Sequence, residues 1–276
     1  MDFAELSYAE PGDPWLRRSL IHAVEHLSGR PRLLPTYERW KRIAAAEPDR
    51  RMTRLLELLD VRLDISGAPW PPPDLEGRPL VMIANHPFGI GDGISLLAMA
   101  EALGRPYRVF VASHLLKVPE IRDVALPIHF EGTRAATRAN LETRARARAF
   151  LAGAHTLATF PAGAVATARN PFGRAEDLPW KNFTARVVQG ARASVLPVRF
   201  DGQNSPLFHA ASRVSETLRL SLLVSEFIRG FPGSTVRARV GEVVPFEALQ
   251  HARNGEELTA ELRGRVLGLA PGGTGR

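Results

Sequence analysis

No cysteine occurs among the 276 residues of the sequence. This absence excludes a disulfide scaffold, a thiolate nucleophile, an iron–sulfur cluster and every zinc site that needs cysteine ligands. Lysine is also rare, since it occurs only at Lys41, Lys117 and Lys181, and arginine supplies the rest of the positive charge. The chain is nonetheless 45% hydrophobic. Its length and apolar content are sufficient to bury a core, in one large α/β domain or two small ones, without disulfide or metal cross-links.

Basic residues outnumber acidic residues by 36 to 29, which gives a formal net charge of +7. Such a balance favours an anionic partner: a nucleic acid, an anionic lipid surface or an acidic carrier protein. The sequence has no polybasic tail, no low-complexity run and no nucleic-acid recognition motif. We therefore expect no nucleic-acid partner.

Long hydrophobic runs are missing as well. The longest charge-free stretch, residues 149–168, contains Gly153, Pro161 and Gly163, which is typical of a helix end, a strand and a turn rather than a membrane span. Residues 1–5 lack the basic region and apolar core of a signal peptide. We expect a protein that is cytosolic or lies on a membrane surface without crossing the membrane.

Residues 1–74 are predicted to form an N-terminal amphipathic helical segment. Apolar residues recur at helical spacing between Leu16 and Leu27, with Asp13 as the cap and Gly29 as the end. A second apolar stripe lies between residues 37 and 59, and a proline-rich linker follows at residues 68–73. Two interpretations of these helices stay open: they dip into a membrane surface, or they pack against the rest of the fold.

Residues 75–276 are predicted to form an α/β domain, because short apolar runs alternate with helical segments. The expected architecture is a mostly parallel wound sheet flanked by helices. The predicted strands are 79–84, 108–112, 125–128, 155–160, 195–200 and 235–240. The predicted helices are 93–103, 133–152, 181–190, 214–229 and 256–269.

The segment 81–93 carries the clearest chemical signal. An apolar strand ends near His86, a glycine-rich turn follows, and Asp92 stands where a helix begins. Ligands in open α/β sheets bind beyond the carboxyl ends of the strands, and a nearby carboxylate can hold one imidazole nitrogen as a donor while the other accepts a proton. The alternative interpretation is a glycine turn in which Asp92 only caps the helix.

Other known motifs do not fit. Gly89, Gly91 and Gly93 lack the spacing of a dinucleotide-binding loop, and the sequence has neither a Walker loop nor a nucleophile elbow. His22 and His26 are helix neighbours with no third ligand in view. We expect no metal and no cofactor.

Three blocks occur in an order that resembles the glycerolipid acyltransferase superfamily, which includes the lysophosphatidic-acid acyltransferases. They are Asn85-His86-Pro87 with Asp92, the run 160–163 (Phe-Pro-Ala-Gly), and the run 195–198 (Val-Leu-Pro-Val). The resemblance covers roughly residues 75–245. Segments 21–30 and 202–209 further resemble the haemolysin-like bacterial branch of this superfamily.

The resemblance implies transfer of a fatty acyl group from acyl-CoA or acyl carrier protein to the hydroxyl of a lysolipid. The acceptor would be lysophosphatidic acid, another lysophospholipid or lyso-ornithine lipid. His86 would act as the general base and Asp92 would orient it, without an acyl-enzyme. The implied partners are a membrane lipid surface, the lysolipid and an acyl carrier protein, with the enzyme cytoplasmic and peripheral on the inner face of the membrane.

The resemblance also implies residues that bind substrate. In the second block an arginine binds the acceptor phosphate, although a solvated helix face is the alternative for this arginine-rich stretch. Backbone amides at the glycine turns are candidate donors to the thioester oxyanion. The predicted substrate-binding residues are Asn85, Gly89, Arg134, Arg138, Asn140, Phe160, Pro161 and Gly163.

The chain departs from the superfamily pattern in its second and third blocks. Alanine stands at positions 162 and 164, where the superfamily or its branch carries glutamate, and His129 stands where the branch more often has an acid. Glu131 is the nearby acidic residue that could compensate. The alternative function is a catalytically reduced lipid- or carrier-binding protein of the same fold.

Overall fold

The computed structural model of the protein describes residues 30–75, 77–214 and 216–269, together with positions 12, 14, 15, 18, 19, 21, 22 and 26. Most of the helix predicted between Leu16 and Leu27 lies outside the described residues. The helices are α1 (Arg30–Ala46), α2 (Arg51–Leu58), α3 (Ile90–Ala102), α4 (Arg134–Leu151), α5 (Asn182–Ala191), α6 (Pro206–Val214), α7 (Glu216–Gly230) and α8 (Gly255–Gly268). The strands are β1 (Arg62–Gly67), β2 (Leu80–Ala84), β3 (Tyr107–Ala112), β4 (Ala125–Ile128), β5 (Thr156–Thr159), β6 (Ser194–Phe200) and β7 (Thr235–Val240).

The seven strands form one sheet in the order β1-β7-β6-β2-β5-β3-β4. Every neighbouring pair is parallel except β6 and β7, which are antiparallel. The central strand β2 is an uninterrupted apolar run whose residues are all buried, as expected for a parallel strand covered on both faces. The predicted α/β class, a mostly parallel sheet flanked by helices, is confirmed.

Side chains of β2 alternate between two hydrophobic cores. Leu80 and Met82 join α1, α2 and α3 on one face of the sheet, whereas Val81 and Ile83 join α4, α5 and α8 on the other. The alternation follows from the two-residue period of a strand. The strand is thereby held from both sides, and its carboxyl end has a defined position.

Two elements differ from the predictions. Residues 62–67 form strand β1 and pair in parallel with β7, so the prediction of a purely helical segment up to residue 74 is wrong here. Leu63 and Ile65 alternate with polar neighbours in this run, which is the pattern of an edge strand with one covered face. The proline-rich stretch 68–73 therefore connects two strands of one sheet.

The second difference is α6, a helix that the sequence analysis did not predict, whereas the helix predicted over residues 214–229 appears as α7. Pro206 occupies the first position of α6, which suits its fixed backbone angle, and the Ser205 hydroxyl accepts a hydrogen bond from the Phe208 amide at 3.3 Å. The six predicted strands and the remaining four helices all appear, with ends displaced by three residues at most.

Helices α1 and α2 pack against the sheet. Tyr37, Trp40, Met52 and Leu56 are buried in the same core as β2, and the Trp40 indole donates to the Arg51 carbonyl at 2.7 Å. For these two helices the structure supports packing rather than insertion into a lipid surface. Among the described residues, no helix combines the length and apolar content that crossing a membrane requires.

Candidate active site

His86 and Asp92 meet at the carboxyl end of β2. Nδ1 of His86 lies 3.0 Å from Oδ1 of Asp92, whose side chain is fully buried, while the His86 side chain is 17% exposed. Among the described residues neither of these two atoms has a hydrogen-bond partner, so the contact is a close approach rather than a well-directed hydrogen bond. The residues that the sequence predicts to act together are therefore adjacent, and the imidazole keeps an exposed side.

The turn between the two residues is closed by the other oxygen of Asp92. Oδ2 accepts a hydrogen bond from the Phe88 amide at 2.8 Å, and the carboxylate lies in the first turn of α3, where a helix favours negative charge. Asp92 thus stabilises the turn with one oxygen and faces His86 with the other. Asp92 does not cap α3, whose N-cap is Gly89 without a side-chain hydrogen bond, and its role in orienting His86 stays a prediction.

Gly89 is required by the geometry of this turn. Its φ is +83°, a left-handed conformation that side chains other than glycine rarely adopt. A Cβ at this position would stand 2.8 Å from Leu223 Cδ1 and 2.9 Å from Val165 Cγ2. The glycine therefore lets the backbone of the turn approach its neighbours closely.

The imidazole of His86 is held on its flat side and through its backbone. The Phe160 ring stacks on it, with 4.0 Å between ring centroids and 24° between the ring planes. The His86 amide donates to Oδ1 of Asp177 at 3.1 Å, and the His86 carbonyl accepts from the Ala166 amide at 2.8 Å. With Nδ1 facing Asp92, Nε2 is the nitrogen left for a substrate.

Asp177 is a site residue that the sequence reasoning missed. Its Oδ2 accepts from the Trp180 indole at 2.9 Å while its Oδ1 accepts from His86. Burial raises the pKa of the Asp177 carboxyl, against which the two hydrogen bonds act. The Asp-x-x-Trp spacing was visible in the sequence, but nothing in it pointed to a histidine 91 positions away.

The other residues of the first and third blocks make structural contacts around the His86–Asp92 pair. The Asn85 amide joins β2 to β6, since Nδ2 donates to the Phe200 carbonyl at 2.9 Å and Oδ1 accepts from the Phe200 amide at 2.7 Å. The Pro161 carbonyl accepts from the Lys181 amide, and the Gly163 amide donates to the Phe160 carbonyl. Because the Gly163 amide is engaged in its turn, Gly89 is the better candidate for an oxyanion donor.

The second-block residues lie along the loop before α4 and on α4 itself. The Asn140 amide binds the His129 backbone at both ends, at 2.9 and 2.7 Å, and so fastens the loop. The Arg138 side chain is 85% exposed and lies 3.4 Å from Glu142, and Arg134 is exposed in the first turn. Among the described contacts of His86, none comes from α4, so the role of Arg134 and Arg138 in substrate binding stays a prediction.

The loop that carries Glu131 lies against the third-block turn. A Cβ on Gly163 would stand 3.0 Å from the Phe130 ring, so Phe130 covers this glycine. Oε2 of Glu131 is 3.7 Å from Nδ1 of His129, and the Glu131 side chain is 59% exposed. Ala162, at one of the positions where the superfamily has glutamate, is buried in the core. Glu131 thus follows directly on the residue that covers the turn lacking its glutamate.

The segment 202–209 contacts the chain that follows the third block, through His209. His209 is fully buried, and its Nδ1 accepts from the Ala168 amide at 3.3 Å. Burial lowers the pKa of the His209 imidazole, which favours the neutral ring that this hydrogen bond needs. Among the described residues, which include His22 and His26, no group of three acidic or histidine side chains is arranged to hold a metal ion.

Comparisons with known proteins identify the family of the chain. A family model described as acyltransferase matches residues 72–266. A lyso-glycine lipid O-acyltransferase from Phocaeicola vulgatus is 24% identical over 209 residues, which cover 72% of this chain and 70% of the relative. A protein of the same description from Bacteroides thetaiotaomicron is 27% identical over 175 residues, which cover 62% of this chain and 59% of the relative.

Among solved structures, the crystal structure of the 1-acyl-sn-glycerophosphate (LPA) acyltransferase PlsC from Thermotoga maritima shares this fold. The TM-score is 0.53 at 18% sequence identity, and the match covers 92% of both chains. The family match itself takes in the His86–Asp92 turn, the third block and most of the sheet. The chain therefore belongs to the acyltransferase family within the glycerolipid acyltransferase superfamily.

Proposed function

We propose that this enzyme moves a fatty acyl group from acyl-CoA or acyl carrier protein to the hydroxyl of a lysolipid, with His86 as the general base. The observation that carries the proposal is the 3.0 Å approach of His86 Nδ1 to the buried Asp92 carboxylate. A buried carboxylate beside one ring nitrogen favours a proton there and leaves Nε2 as the acceptor.

The chemical step needs no acyl-enzyme. Nε2 of His86 takes the proton of the acceptor hydroxyl while the hydroxyl oxygen attacks the thioester carbonyl carbon. The new C–O bond forms, the C–S bond then breaks, and the imidazolium returns its proton to the departing thiolate. Asp92 stabilises the imidazolium, and the Gly89 amide is the proposed donor to the transient oxyanion.

A lyso-aminolipid is the acceptor that we favour over lysophosphatidic acid. Two relatives are named for a lyso-glycine lipid. The predicted phosphate ligand Arg138 is paired with Glu142 on the surface of α4, and the third block lacks the glutamate of the superfamily. These features support an acceptor such as lyso-glycine or lyso-ornithine lipid, with lysophospholipids as the competing class.

Acyl transfer by the purified protein tests the proposal directly. Labelled acyl-CoA or acyl carrier protein would be offered with lyso-glycine lipid, lyso-ornithine lipid, lysophosphatidic acid and another lysophospholipid. We expect a labelled diacyl product from a lyso-aminolipid with at least one of the two donors. Folded protein that binds vesicles but yields no product on any acceptor would instead support the non-catalytic lipid- or carrier-binding alternative.

Glu131→Ala is expected to lower turnover by about tenfold, the loss expected for one hydrogen bond or ion pair to a charged group. The reason is the position of Glu131 directly after Phe130, which covers the third-block turn that lacks its glutamate. The matched control is Glu247→Ala, because the Glu247 side chain is similarly exposed at 72% and lies 3.9 Å from Arg192, which is not among the predicted site residues. Equal kcat for Glu131→Ala and wild type would remove Glu131 from the site.

A further inference from the structure

A hairpin leaves the active site directly from His86. Its two stems pair through hydrogen bonds between the backbones of Thr167 and Glu176, both at 3.1 Å. One stem begins at Ala166, whose amide binds the His86 carbonyl, and the other ends at Asp177, whose carboxylate binds the His86 amide. We refer to residues 166–177 as the hairpin. Both of its ends are bound to the backbone of His86.

The hairpin is held by the loop that precedes α6 and by the last turn of α6. Gln203 accepts from the Ala175 amide at 2.9 Å and donates to the Gly173 carbonyl at 3.0 Å. At the other end of α6, Nη1 of Arg213 donates to the Arg169 carbonyl at 3.0 Å. The hairpin tip and α6 therefore form one continuous surface, which we name the hairpin–α6 surface.

Large apolar side chains project from this surface. Phe172 is 86% exposed, Val214 is 77% exposed and Leu207 is 63% exposed, and the first two are the most exposed large apolar side chains among the described residues. Leu207 and Val214 are seven residues apart on α6, two helical turns along one face. Exposed apolar groups gathered in this way mark an interaction surface rather than ordinary scatter.

The charge around these apolar groups is positive. Arg169, Arg174 and Arg213 are exposed, and Glu176 is the single exposed acid among the described residues of the hairpin and α6. Apolar side chains surrounded by arginines match the interface of an anionic bilayer, where the former enter the acyl boundary and the latter lie among the headgroups.

We propose that the hairpin–α6 surface docks on an anionic lipid bilayer, with Phe172, Leu207 and Val214 entering the interface. This inference rests on the proposed function, because the docked bilayer supplies the lysolipid acceptor. Phe172 is five residues from Thr167, which lies at the base of the hairpin. Five residues of extended chain span at most about 17 Å. A lipid held at the tip of the hairpin would therefore be no farther than that from the base of the hairpin beside His86.

Vesicle flotation of the full chain tests the surface. Vesicles of phosphatidylcholine with one quarter phosphatidylglycerol would be compared with phosphatidylcholine alone. We expect Phe172→Ser with Val214→Ser to weaken binding by about tenfold or more on the mixed vesicles. Arg169→Gln with Arg174→Gln should weaken binding about tenfold or more on the mixed vesicles and hardly at all on the neutral ones.

The matched control combines Leu141→Ser with Arg146→Gln, which removes an exposed apolar group and an exposed arginine from α4. It should bind the mixed vesicles like wild type. Wild-type affinity of the Phe172/Val214 variant, or no wild-type binding at all, would overturn the proposal. Lost affinity for an acyl carrier protein with unchanged vesicle binding would overturn it too and assign the surface to the carrier.

An activity assay separates this proposal from the chemistry. On a lysolipid dispersed below its micelle concentration, the Phe172/Val214 variant should retain wild-type turnover, whereas on vesicle-borne lysolipid it should lose activity in parallel with binding. A wild-type enzyme inactive on every acceptor would refute the proposed function and leave the vesicle result standing. Equal loss on dispersed and vesicle-borne acceptor would show that the surface serves the active site and not docking.

Discussion

His86→Ala is expected to lower acyl transfer by about 10²–10⁴-fold, the range that positioned general-base catalysis contributes. The substitution removes Nε2, the nitrogen proposed to take the proton of the acceptor hydroxyl. It leaves the backbone contacts of residue 86 with Asp177 and Ala166 in place. We therefore expect the loss in kcat, with a much smaller change in the apparent affinity for either substrate.

The measurement is a single-turnover assay with the acceptor identified in the panel, accompanied by thermal unfolding. His251→Ala is the matched control, because the His251 side chain is 63% exposed and its Nε2 lies 3.1 Å from Oε2 of Glu261 in α8. It should transfer acyl groups at the wild-type rate. If His86→Ala kept more than a tenth of that rate while folded, the general base would be another group.

Asp92→Asn is expected to cost about 10²–10⁴-fold in kcat while preserving the fold. The asparagine oxygen can still accept from the Phe88 amide, the contact that Oδ2 of Asp92 makes at 2.8 Å. Its NH₂ group would then face Nδ1 of His86 and donate to it. The imidazole would carry its proton on Nε2, where it cannot accept the proton of the acceptor.

The result separates the two roles of Asp92. Denaturant unfolding of Asp92→Asn should match wild type to within about 1 kcal/mol, whereas Asp92→Ala leaves the Phe88 amide without its partner and should lose about 1–3 kcal/mol of stability. The rate should fall in both variants. An Asp92→Asn enzyme with more than a tenth of the wild-type rate would reduce Asp92 to a residue that only stabilises the turn.

The sequence by itself was sufficient to predict those features that depend on residues close together along the chain. The run 80–84, the glycine turn and the helix that follows lie within one stretch of chain, so the six-residue spacing from His86 to Asp92 already brings the pair together. The alternation of apolar runs and helical segments likewise predicted the parallel sheet, because each run must bury its own residues.

Only the tertiary structure decided what lies around the pair. Asp177 reaches the His86 amide across 91 positions, and Asn85 binds β6 across 115. The pairing of β1 with β7, and of the hairpin with α6, also depends on which strands become neighbours. Local propensity acts over a few residues, whereas these contacts form because burial of both faces of the sheet selects one strand order.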